Sequence, residues 1–146
     1  MTEIKIGGRV IPLYYSTYEL VEIQKEIGCT AYELNDQVFG LRTEVDEETG
    51  QDKAVHFDVG TDPARQEKMG KLIRILGNAG LEESGQEADL TDKWVLRKMK
   101  PGLVLAYAFA VIAVITEGNK IEATKGENGP VDEGLEEENA KKQRGK

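Results

Sequence analysis

Residues 103–116 constrain the fold of this chain more than any other segment. They carry no charge, and Leu103, Val104, Leu105, Tyr107, Phe109, Val111, Ile112, Val114 and Ile115 leave no polar face at helical spacing. A helix of this kind lies centrally in a core or is shared between a core and a partner. At ~1.5 Å per residue the run spans about 21 Å, short of a ~30 Å hydrocarbon layer, so it reads as a buried helix and no membrane partner is expected. The N-terminal Met1-Thr2-Glu3-Ile4-Lys5-Ile6 alternates polar and apolar residues and lacks the apolar centre of a signal peptide. With 146 residues, the expectation is one soluble, cytoplasmic domain with a single core.

The remaining elements derive from local chemistry. Ile4 and Ile6 alternate with Glu3 and Lys5, and Gly7-Gly8 supplies the two positive-φ residues of a type I′ turn, so residues 3–15 predict a β-hairpin whose second strand is confined to an edge by Pro12. Ser16-Thr17-Tyr18-Glu19 is a capping box for a helix that Gly28 ends. Thr30-Ala31-Tyr32-Glu33 is a second box, for a short helix bearing Leu34 and Val38 and stopped at Gly40. Residues 41–45 and 54–59 favour extended structure around a polar turn, giving an exposed hairpin or loop over 41–60. Asp62-Pro63 opens a helix with Met69, Leu72, Ile73 and Leu76 on one face, and Gly77 and Gly80 are expected to end it. Thr91 caps a short helix containing Trp94, Val95 and Leu96. Pro101 separates it from the apolar helix, which Gly118 closes. The fold class is therefore α+β, mainly α: an N-terminal β-hairpin, about five helices over residues 1–118, and a disordered C-terminal tail over 119–146. In that tail, residues 127–138 hold six acids and no bases, and residues 139–146 hold four bases and no acids.

Charge and residue usage exclude several chemistries. Lys and Arg number 19 against 27 Asp and Glu, a formal charge of −8, and a diffuse negative field repels phosphate, so nucleic acid is not expected as a partner. One Cys and one His exclude a disulfide framework and a Cys/His zinc cluster built from this chain alone. Gly70-Lys71 lacks the remainder of a phosphate loop, and no Gly-x-Gly-x-x-Gly follows a strand. Asp46-Glu47-Glu48 reads as a solvated turn, His56 as an ordinary strand residue, and Cys29 as a small buried side chain. No cofactor, metal or catalytic residue is assigned. Residues 19–34 have the spacing of a DNA-binding helix-turn-helix, but the second helix, Ala31-Tyr32-Glu33-Leu34-Asn35-Asp36-Gln37-Val38, offers two acids and no base where a recognition helix presents cations.

Taken in order, Ile11-Pro12-Leu13-Tyr14-Tyr15, the capped stretch from Ser16 to Gly28, Leu72-Ile73-Arg74-Ile75-Leu76-Gly77-Asn78-Ala79-Gly80-Leu81, Leu90-Thr91-Asp92-Lys93-Trp94-Val95-Leu96-Arg97-Lys98-Met99-Lys100-Pro101 and the apolar helix ending Ile115-Thr116-Glu117-Gly118 form one series of elements. Over roughly residues 3–118 the chain resembles the tail assembly chaperones of long-tailed bacteriophages and prophages. The resemblance rests on element order and local phrases. It implies a small, mostly helical, non-enzymatic protein of the host cytoplasm that binds the tape measure protein and helps recruit tail tube subunits. It also implies self-association and absence from the mature virion. Against the shorter members, residues 41–60 look like an insertion. Ala140-Lys141-Lys142-Gln143 is compatible with an A-rich slippery codon run, and such loci often make a longer frameshifted product. A prophage helix-turn-helix regulator and a structural tail component are the alternatives.

A tape measure protein is expected to be a long amphipathic helix, and a chaperone for it needs apolar grooves together with solubilising charge. The expected interaction surface, for client or self, is part of the apolar helix (Tyr107, Phe109, Ile112) with Leu72, Leu76 and Trp94 nearby. The competing expectation is that all six belong to the core.

Overall fold

In the computed structural model, which describes residues 2–120, the chain is α+β and mainly α. Beyond Lys120, the tail expected over 119–146 lies outside the described residues. Strands β1 (Glu3–Ile6) and β2 (Arg9–Pro12) pair antiparallel with Ile6 opposite Arg9, so the loop is the two residues Gly7 and Gly8. Their φ values of 59° and 81° are those the type I′ turn requires. Ile4, Ile6 and Ile11 point into the core. Helix α1 (Thr17–Ile27) begins with the expected capping box: the Glu19 carboxylate accepts from the Ser16 N–H at 2.9 Å, and the Ser16 hydroxyl accepts from Tyr18 N–H. Gly28 ends it at φ 89°.

The second capped segment departs from expectation. Thr30 and Glu33 form their box, but the chain continues as a 3₁₀ turn (Ala31–Glu33) and a π-helical turn (Asn35–Phe39), not as an α-helix. The wider turn places Leu34, Val38 and Phe39 in the core together, where α-helical spacing would carry one of them away. Gly40 (φ 62°) then leads into a second hairpin, β3 (Leu41–Val45) with β4 (Asp52–Phe57). The extended stretch expected to reach Val59 stops at Phe57. Asp58–Gly60 is a 3₁₀ turn that drops Val59 into the core.

Helix α2 (Pro63–Glu83) opens as expected at Asp62 and Pro63, but it does not stop at Gly77 or Gly80. A true stop comes later, where Gly85 N–H bonds to Glu82 C=O and Gln86 N–H to Leu81 C=O, with Gly85 at φ 76°. The internal glycines are docking points. A Cβ on Gly70 would lie 2.6 Å from Leu96 Cδ2, one on Gly77 2.6 Å from Leu90 Cδ1, and one on Gly80 1.9 Å from the Pro12 carbonyl oxygen. Each marks a place where a neighbour lies flush on the helix, and Tyr14 N–H donates to Leu76 C=O across the hairpin contact. Thus α2, not the more apolar C-terminal helix, is the hub of the core. Helix α1, the π turn, β2, α3 (Asp92–Lys98) and α4 (Val104–Gly118) all pack on it. Gly118, expected as a cap, ends α4 with a Cβ position 2.4 Å from Tyr15 Cδ2, so it too serves close packing.

One polar cluster ties three helices together. Arg74 on α2 donates from Nη2 to Glu26 of α1 at 2.7 Å and from Nε to Asp92 of α3, and Lys71 Nζ donates to Asp92 at 3.0 Å. Burial alone pushes the Asp92 carboxyl up, but the hydrogen bonds from Arg74 and Lys71 outweigh it and hold it below the usual carboxylate range. A lowered carboxyl contributes stability that is fully present above its ordinary value near 4 and is lost as pH falls through the folded-state value. Arg74→Met is therefore expected to cost about 1–2 kcal/mol at pH 7 for this half-exposed cluster. The gap to wild type should narrow below about pH 4. Thermal melts of both proteins from pH 7 to pH 3 measure this, and a gap that widens in acid would contradict it.

Candidate functional site

Helix α4 leaves a continuous apolar strip facing solvent. Val104, Tyr107, Ala108, Val111, Val114 and Ile115 form its core side. The opposite side carries Leu105 (40% exposed), Ala106, Phe109 (55% exposed) and Ala113, flanked by half-buried Ala110 and Ile112. No polar residue interrupts this strip before Thr116, whereas the outer face of an ordinary amphipathic helix is polar. Pro101–Gly118 is also long and apolar enough, by length and composition alone, to cross a bilayer.

The second hairpin extends the strip. Leu41 lies opposite Phe57 and Thr43 opposite Val55, so alternation puts Leu41, Thr43, Val55 and Phe57 on one sheet face. Leu41 and Val55 are exposed, and the Phe57 ring meets Phe109 edge-on with centroids 5.2 Å apart. A cleft of about 570 Å³ runs between this hairpin and the start of α4, lined by Val55, Phe57, Pro101, Gly102 and Leu105. Arg42, His56 and Asp58 line it too, and Arg42 Nε pairs with Asp58 at 3.1 Å, so its rim is polar. An apolar floor with a charged rim is the anatomy of a protein-binding surface.

The six residues expected to form one interaction surface are divided by the structure. Leu72 and Leu76 are fully buried on α2, and Tyr107 is 5% exposed, so these three are core and not surface. The reason is geometric: α1, β2, the π turn, α3 and α4 all pack on α2, and Tyr107 lies on the buried side of α4. Trp94 is half-buried under the Arg9 guanidinium, 5.7 Å from the ring centroid, and lies apart from the strip. Phe109 and Ile112 are brought onto the strip. Leu105, Val55 and Phe57 join Phe109, and the sequence alone did not single them out. The alternation in 41–45 and 54–57 signalled an apolar hairpin face, but a helix apolar all round gives no sign of which side turns outward.

The other candidate sites resolve simply. Residues 31–39 lack the continuous α-helix that a recognition helix needs. Cys29 is buried, and burial first, then the nearby Glu33, push its thiol up against an opposing effect of Lys68. A thiol reagent at pH 8 is therefore expected to leave the native protein unmodified and to react once it unfolds; rapid labelling of the native chain would contradict the packing. Among the described residues, no group of three or more His, Cys, Asp or Glu side chains could hold a metal ion. Comparison with protein-family models, with curated proteins and with solved structures finds no match.

Proposed function

We propose that this protein is a non-enzymatic tail assembly chaperone of a long-tailed phage or prophage, which binds the tape measure protein in the host cytoplasm and helps bring tail tube subunits to it. The observation that carries the reading is the outer side of α4, continuously apolar from Leu105 to Ala113 and extended by Val55 and Phe57 of the second hairpin. An amphipathic helix can lay its apolar face along such a strip, with anchors at i, i+4 and i+8 meeting Leu105, Phe109 and Ala113. Small residues at 106, 110 and 113 let the backbones approach closely. The acid excess of the chain, with its formal charge of −8, keeps a complex with a long apolar client in solution. The order of elements over residues 3–118, which resembles this family, is the second support.

The test is co-expression with the neighbouring reading frames, followed by purification of the tagged full chain and mass spectrometry. Recovery of a very long, helix-rich protein, together with absence of this chain from purified virions, is the expected result. A folded chain that recovers no such protein, or one present stoichiometrically in virions, would contradict the proposal.

A further inference from the structure

A second surface, independent of what α4 binds, is set by charge. Helix α3 and the residue two past its end expose Lys93, Arg97, Lys98 and Lys100 within eight positions. None of the four forms an ion pair among the described residues. The one acid of the segment, Asp92, is already engaged by Lys71 and Arg74. The Lys98 stem lies against the Gly7 turn, so the hairpin end and α3 adjoin, and the carboxylate that Arg9 of this hairpin reaches, Asp89, is held by it at 2.8 Å. Leu96 and Leu103 add exposed apolar surface beside these cations. On a chain of net charge −8, this is a local excess of positive charge that forms no ion pair among the described residues.

The sequence contains a matching counterpart. Residues 127–138 hold Glu127, Asp132, Glu133, Glu136, Glu137 and Glu138 without a base, and place Val131 and Leu135 between the acids. Reach also matches. Helix α4, with its 15 residues, is about 22 Å long and starts six positions past Lys98, the last residue of α3. Seven residue-to-residue steps lead from Lys120 to Glu127, and at ~3.3–3.6 Å each they span up to about 25 Å, enough to retrace the helix. A tethered segment acts at an effective concentration on the order of mM, which an untethered anion must exceed. We propose that the acidic segment 127–138 of this chain docks in cis on the basic face of α3, pairing its carboxylates with Lys93, Arg97, Lys98 and Lys100 and setting Val131 and Leu135 against Leu96 and Leu103.

Paramagnetic relaxation tests this on the full chain. A nitroxide is attached at Glu133→Cys; the buried Cys29 stays unmodified under native conditions, and Cys29→Ala in the same chain serves if it reacts. At about 10 mM salt, amide signals of residues 93–100 are expected to be lost while those of α1 persist. They should return at about 1 M salt, where the Debye length is about 3 Å, and in the variant Lys93→Gln/Arg97→Gln/Lys98→Gln. Signals of 93–100 that persist at low salt, or loss spread evenly over the domain, would overturn the proposal. So would loss of the same signals in ¹⁵N-labelled chains carrying no nitroxide and mixed with spin-labelled ¹⁴N chains, because the segment would then dock on another copy.

Discussion

Gly80→Ala is expected to unfold the domain or to destabilise it by about 3 kcal/mol or more, a loss of at least ~10 °C in melting temperature at this size. The new methyl would sit 1.9 Å from the Pro12 carbonyl oxygen and 2.9 Å from the Leu13 nitrogen. Both are backbone atoms, so no rotamer change relieves the clash; the first hairpin must lift from α2. Lifting it breaks the Tyr14 N–H to Leu76 C=O bond and opens the packing of Ile11 on Gly77. Gly85→Ala is the matched control. It has open space around its Cβ position and suffers only from its φ of 76°, so it should cost about 1 kcal/mol. Chemical denaturation of the two variants measures the contrast. Equal costs would mean that the hairpin does not lie flush on the helix.

The second large effect is on binding. Leu105→Glu/Phe109→Glu should leave the melting temperature within a few degrees of wild type, because both side chains are substantially exposed and neither fills the core. The same double change should weaken client capture by about 100-fold or more, since truncating a central anchor commonly costs about 2 kcal/mol or more and each ~1.4 kcal/mol is tenfold in affinity. Introducing charge opposite an apolar helix adds desolvation to that loss. Tyr107→Ser gives the opposite pattern. Tyr107 is a core residue of the same helix, so the cost is on the order of 3 kcal/mol in stability, and binding falls only as far as folding does. A client titration and a thermal melt on each variant separate the strip from the core.

How much of this was legible in the sequence differs from element to element, for physical reasons. Turns and caps are local, and they read correctly: Gly7-Gly8, the Ser16–Glu19 box, Asp62-Pro63 and Thr91 each do what their neighbours dictate. Gly77 and Gly80 misled because a glycine that ends a helix and one that admits a neighbour's backbone are the same residue. Only the tertiary contact with Ile11, Leu90 and Pro12 distinguishes them. The Thr30 box points to an α-helix because its capping is real, while the choice of 3₁₀ and π turns is made by the burial of Leu34, Val38 and Phe39. Placing Leu72, Leu76 and Tyr107 on a surface failed because apolar periodicity cannot separate a face that meets the core from one that meets a partner. Phe109 and Ile112 emerge from the same periodicity, whereas the part played by Val55 and Phe57 depends on the register of the second hairpin, which only the fold reveals.

If a client helix lies on the outer strip of α4, a photoprobe set in that strip must reach it. Photocrosslinking tests it most directly, with benzoylphenylalanine replacing Phe109 in the full chain, co-expressed with the long helix-rich protein encoded beside it. The expected result is an adduct that maps to an amphipathic helical segment of that protein. The same photoprobe in place of exposed Tyr18, on α1, should give none. Equal adducts from both positions, or none from Phe109 while the two proteins still co-purify, would contradict it.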